Sequence, residues 1–130
     1  MLEIILKFLV YKKDILTVKK LWNIDISEFN HVIDQDGINH VKNRHGIYSK
    51  EKNEKIISDD DLKKIPEIIK NHDDILAGGI SGSRKLPTMV YIKHYEEYKY
   101  YYVTEILKNK KELRIKTFYK DKKYLKRQDK

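Results

Sequence analysis

His40, Arg44 and His45 lie within one nine-residue stretch, Ile38-Asn-His-Val-Lys-Asn-Arg-His-Gly46. Imidazole is the side chain that exchanges protons near neutral pH. A guanidinium presents a planar fork of donors that fits a phosphate. Together they could move protons and hold a phosphodiester. Internal transesterification of RNA asks for those parts: a base for the ribose 2′-OH, an acid for the departing 5′-oxygen and donors for the charged phosphorane. Late in the chain, Thr117 and Tyr119 add two hydroxyls that could bind phosphate or orient a histidine. Each residue also has a plain structural reading. His45 reads equally well as a core or capping histidine, and Thr117 and Tyr119 taken singly read as packing. His40 is the hardest to explain that way.

The elements that must position these groups follow from spacing. Asp36 is an expected N-cap and Gly46 an expected C′ residue of a short helix. At about 100° per residue, Ile38, Val41 and His45 share one face, while His40 and Arg44 project together from another. His45 should therefore lean toward the core. A metal is a rival use of the two histidines. Helical ligand pairs sit four apart, however, whereas these are five apart and point about 140° away from each other. With no cysteine to complete a site, no metal and no cofactor is expected.

Before that helix, residues 2–11 are an apolar run that fits a buried strand or a short helix, and residues 14–22 fit a helix burying Ile15, Val18, Leu21 and Trp22. Ser58 and Asp61 have capping-box spacing ahead of a stripe of Leu62, Ile65 and Ile69, with Pro66 at a kink or a first turn. The period then changes. Residues 75–80, 88–95, 98–107 and 112–119 read as strands, the last two joined across residues 108–111. On the final strand Leu113, Ile115, Thr117 and Tyr119 should share a face, with Arg114, Lys116 and Phe118 on the other. The expected class is α+β, with N-terminal helices packed on a C-terminal antiparallel sheet of about four strands. Residues 1–120 make one domain, and 121–130 a basic tail. The glycine-rich segment 78–84 lacks the Lys-Ser/Thr ending of a nucleotide loop and reads as a strand connection, leaving Arg84 as a backbone contact. Lys93 is a lesser candidate for phosphate, Arg114 and Lys116 are candidate RNA contacts, and some of the ten tyrosines could stack bases. His31, His72 and His94 are scattered and read as surface or hydrogen-bonded histidines.

Charge adds a direction. From Lys108 onward there are 11 Lys/Arg and 3 Asp/Glu, whereas the first 107 residues hold 17 of each sign. All of the +8 excess thus sits at one end, which fits a polyanionic partner or a solvated lysine-rich terminus. The lack of cysteine fits a reducing, cytoplasmic setting. The first residues lack a signal-peptide pattern and are too short to span a bilayer, so a protein without membrane association is expected.

Residues 29–46 resemble the His-x-x-x-Arg-His-Gly helix of phage-associated nuclease domains in the barnase–EndoU–colicin–RelE (BECR) superfamily. The likeness extends through Ile65-Pro66-Glu-Ile-Ile69, Asp74-Ile75, the tyrosine-rich 98–103 and the closing Leu113-Arg-Ile-Lys-Thr-Phe-Tyr119, covering about 29–119. It implies a barnase/EndoU/RelE-like fold and a metal-independent endoribonuclease of toxin type, leaving 2′,3′-cyclic phosphate ends. His40, Arg44 and His45 match the helix motif, Thr117 and Tyr119 the late Thr/Ser-x-Tyr element, and Lys93 a strand lysine. EndoU-type enzymes keep their two histidines on separate elements, whereas here both fall on one helix. The implied partners are RNA, tRNA among the candidates, and an immunity or antitoxin protein; delivery into a target cell by a phage or toxin system is a further implication. The rival readings are a non-catalytic RNA-binding or protein-binding phage accessory domain that keeps the nuclease fold. Salt-sensitive RNA binding without cleavage would mark the first of these.

Overall fold

The computed structural model describes residues 4–46, 55–81 and 85–123. Its chain order is β1 (Ile4–Leu9), α1 (Lys12–Trp22), β2 (Asn30–Asp34), α2 (Gln35–His45), α3 (Asp59–Leu62), α4 (Ile65–Lys70), β3 (Asp74–Ser81), β4 (Leu86–His94), β5 (Tyr98–Leu107) and β6 (Glu112–Lys122). The α+β class stands, but the sheet has six strands rather than about four, in the order β1-β2-β6-β5-β4-β3. Helices are not confined to an N-terminal block. The early apolar run is β1, and a second strand that sequence periodicity did not separate from the key helix is β2. β2 pairs in parallel with β6, over Asn30↔Glu112 to Val32↔Arg114, while the other pairings are antiparallel.

α1 buries Val18 and half-buries Ile15 and Trp22, but leaves Leu21 exposed. The Trp22 indole N–H donates to the Thr88 carbonyl at 2.9 Å. The capping box forms as the spacing predicts, with Ser58 Oγ accepting from Asp61 N–H and the Asp61 carboxylate accepting from Ser58 N–H. Pro66 lies in the first turn of α4. Six residues cannot hold a helix alone. Burying Ile65, Ile68 and Ile69 against the sheet contributes about 1.5–3 kcal/mol for each side chain and fixes it there.

β6 departs from strict alternation. Val103 pairs with Thr117 and Thr104 with Ile115, so Lys116 is an extra residue in a β-bulge. The bulge resets the pleat. Leu113, Ile115, Phe118 and Lys120 turn inward and are buried, while Arg114, Thr117 and Tyr119 lie on the opposite face. The expected grouping of Ile115 with Thr117 and Tyr119 is therefore corrected. β6 also runs to Lys122, paired with Tyr98, so residues 121 and 122 belong to the sheet rather than to a tail; residues 124–130 lie outside the described residues.

A polar pocket interrupts the core between α1 and the sheet. The buried Asp14 of α1 pairs with His72 Nε2 at 3.1 Å. His72 Nδ1 faces the Ile69 carbonyl at 3.0 Å. The Tyr91 ring of β4 lies between His72 and His31, with centroids 5.1 and 5.6 Å away. His31 is neither a surface nor a hydrogen-bonded histidine: it is fully buried against Phe8 and Tyr91, and neither ring nitrogen has a hydrogen-bond partner among the described residues.

Burial holds the His31 pKa at about 4, against an ordinary 6.5, with Asp14 pulling it up and His72 pushing it down. Between those values the unfolded chain takes up the proton first, so stability present above pH 6.5 is lost as the pH falls toward 4. The single residue accounts for about 3 kcal/mol of that loss. In urea unfolding at about pH 7 and about pH 4.5, wild type should lose some 2–3 kcal/mol more than His31→Leu. An equal loss in both would remove His31 as the cause.

Candidate active site

α2 begins where β2 leaves the sheet. Asp34, rather than Asp36, is its N-cap: the residue is extended (φ −111°), and Oδ1 accepts from the Gly37 N–H at 2.8 Å. The other carboxylate oxygen accepts from Arg114 Nη1 at 3.0 Å. Arg114 is further held by Glu112 Oε1, 2.6 Å from Nη2 and 3.1 Å from Nε. One carboxylate therefore starts the helix and ties it to β6.

From there α2 runs beside the part of β6 that β2 no longer covers. Near its start, a Cβ on Gly37 would collide with the Ile115 side chain, so glycine allows the close approach. At its end, the His45 ring lies 5.6 Å from the Tyr119 ring. Eight helical residues rise about 12 Å and four strand residues about 13 Å, which is why the two contacts recur in step. The end is closed by Gly46, whose N–H donates to the Lys42 carbonyl at 3.0 Å. Its φ of −92° is not left-handed. Glycine is needed there because a Cβ would meet that carbonyl oxygen at 2.5 Å. The His45 carbonyl then accepts from the Ile57 N–H at 2.6 Å.

On this frame Val41 is buried, Ile38 and His45 are half-buried, and His40 and Arg44 are exposed. His40 is held below its ordinary pKa by partial burial and then by the positive charges of Arg44, Lys116 and His45. Those cationic groups thus act on one imidazole. The bulge places Lys116 among them, with its Nζ 3.8 Å from Glu105 Oε2. Tyr119 stacks on Tyr101 of β5 (4.7 Å, 12° between planes), and Lys99 Nζ lies 5.1 Å from the Tyr101 centroid. Burial, helped by Tyr101 and Asp121, raises the Tyr119 pKa and keeps its hydroxyl protonated. Thr117 Oγ1 is shielded from solvent and has no hydrogen-bond partner among the described residues.

The remaining expected contacts lie elsewhere. Arg114 is not an open cation, since its guanidinium is engaged by Asp34 and Glu112 and its side chain is only 15% exposed. Lys93 donates to the Asn71 carbonyl at 2.9 Å and lies over Tyr95, in the Tyr100–Lys120 row of the opposite sheet face from Tyr119. Arg84 falls outside the described residues. Asp34, Glu112, Tyr101 and Lys99 enter the site without having been singled out from sequence. A groove of about 640 Å³ lies against the Ile38–Lys42 side of α2, lined also by Ile5, Ile33, Leu62 and Pro66; none of His40, Arg44 and His45 lines it. Among the described residues no group of three or more His, Asp or Glu is placed to hold a metal ion. No described helix is long and apolar enough to cross a membrane.

If Asp34 both caps and tethers α2, its two roles should separate. Asp34→Ala loses the cap and one side of a buried ion pair and should lower unfolding stability by about 2–3 kcal/mol. Asp34→Asn keeps a capping oxygen and should lose roughly half as much. Equal losses in urea titrations would refute the double role.

No curated protein and no solved structure matches the chain at a significant level. A family model described as phage-Barnase-EndoU-ColicinE5/D-RelE like nuclease 3 does, over residues 10–128. That span takes in α1, the whole of the α2–β6 frame and the bulge. The protein belongs to this family of phage-associated nucleases, as the motif around His40, Arg44 and His45 leads one to expect.

Proposed function

We propose that this nuclease is a metal-independent endoribonuclease of toxin type that cleaves RNA by internal transesterification. The observation that supports the reading is that exposed His40 and Arg44 lie one turn apart on α2, in the positive field of Lys116 and His45. A lowered pKa leaves His40 neutral near pH 7 and so able to accept a proton. His40 takes the 2′-OH proton, O2′ bonds to phosphorus, and the bond from phosphorus to the 5′-oxygen breaks. His45 protonates the departing 5′-oxygen. Arg44 and Lys116 hold the phosphorane oxygens, where charge accumulates. The products are a 2′,3′-cyclic phosphate and a free 5′-hydroxyl. RNA, tRNA included, is the proposed substrate, and an immunity or antitoxin protein the proposed partner. The cytoplasm, of the producing cell or of a cell into which the domain is delivered, is the proposed place of action.

Purified protein incubated with total RNA in excess EDTA should leave fragments with cyclic phosphate ends, and His40→Ala should slow cleavage by at least about 100-fold. Intact RNA, or cleavage unchanged in the variant, would sink the reading. Salt-sensitive binding without cleavage would instead support a non-catalytic RNA-binding domain.

The pH profile offers an independent check. The acid limb of kcat/KM should have its midpoint below 6.5, because partial burial and then the neighbouring cations oppose protonation of His40. Lys116→Gln should move that limb toward 6.5 and leave its shape unchanged. A limb that stays in place would remove Lys116 from the field acting on His40.

A further inference from the structure

β6 lies between β5 and the line of β2 and α2, so Tyr119 has a neighbour on either side. Toward β5 its ring is stacked on Tyr101, at 4.7 Å and 12°. Toward α2 it meets the His45 imidazole, at 5.6 Å and 34°. Tyr101 therefore covers one face of the ring, and His45, inclined to it, flanks the ring toward α2. Lys99 extends the row, its ammonium lying over Tyr101. A nucleobase stacking on Tyr119 would have to displace Tyr101 or compete with the His45 ring on the side toward α2. We infer that Tyr119 is a positioning residue that acts through His45: its ring is the wall that sets the imidazole against the scissile phosphate, and it takes no base of the RNA.

The inference rests on the nuclease reading above and gives the tyrosine a role that the ring, not the hydroxyl, performs. A phenyl ring should therefore suffice. Orienting a proton donor affects the chemical step, and a misplaced group of this kind loses about 10- to 100-fold in rate. Tyr119→Phe should retain cleavage within a few-fold, whereas Tyr119→Leu should lose about 10- to 100-fold in kcat with KM nearly unchanged. In a His45→Ala background the Leu substitution should have little further effect, because the group through which it acts is gone.

NMR of the His45 ring protons tests the contact without any turnover. The Tyr119 ring current should shift them from their random-coil positions, the shift should persist in Tyr119→Phe, and it should vanish in Tyr119→Leu while the amide spectrum stays folded. Absent shifts in wild type would overturn the inference whatever the activity. Wild type that shows the shift but cuts no RNA would refute the nuclease reading and leave the contact standing. A raised KM in Tyr119→Leu would mean that the ring binds a base, and activity lost in Tyr119→Phe would mean that the hydroxyl does the work; either result overturns the inference.

Discussion

The ion pair between Asp34 and Arg114 is the constraint on which the arrangement around α2 depends. A helix lying beside a strand is free to slide along it and to turn about its own axis. The Asp34 carboxylate removes both freedoms. One oxygen terminates the helix at Gly37 N–H, which sets its rotation, and the other binds a cation on β6, which sets its height. Buried charge pairs add little net stability once desolvation is counted, but they are unforgiving of the wrong register. Glu112 completes the shell of Arg114, so the guanidinium has no better alternative nearby.

β6 uses the same device twice. At its other end the buried Lys120 pairs with Asp61 at 2.8 Å, and Asp61 is the residue that completes the capping box of α3. The Tyr100 hydroxyl also donates to Asp61. Two helix starts are thus pinned to one strand through aspartates that each serve a backbone N–H and a side-chain cation. Arg114 and Lys120 face opposite sides of the sheet because the bulge at Lys116 lies between them. The bulge thus turns the two anchoring cations to opposite faces of one strand and brings Lys116 to the helix that carries His40.

Much of this was legible in the amino-acid order. The four late strands, α1, the capping box and the helix carrying His40 and Arg44 all follow from spacing, because each has a strong local signal. β2 did not. Its five residues, Asn30–Asp34, run straight into α2, and a short buried strand without a turn after it has no periodicity of its own. Missing it moved the cap to Asp36 and hid the parallel pairing. The bulge left a trace that alternation overrides: Leu113, Ile115 and Phe118 are apolar at spacings of two and then three. Arg114 illustrates a different limit. A charged residue on a strand reads as available to a ligand, and only the tertiary placement of Asp34 and Glu112 shows that it is already engaged. The histidines divide for the same reason, His31 and His72 belonging to the core and His40 to the surface, with nothing local to tell them apart.

The parallel pairing of β2 with β6 has a consequence for how the molecule comes into being. Asp34 and Arg114 are separated by eighty positions, with α3, α4 and three strands between them. Contacts so distant along the chain form late, since closing so large a loop is entropically unfavourable until other structure has condensed. A growing polypeptide that has already emerged past its histidine motif still lacks the strand against which the motif is set. The surface around α2 is therefore assembled only once β6 has been made, and a product truncated before β6 would carry His40, Arg44 and His45 without the strand against which they are set.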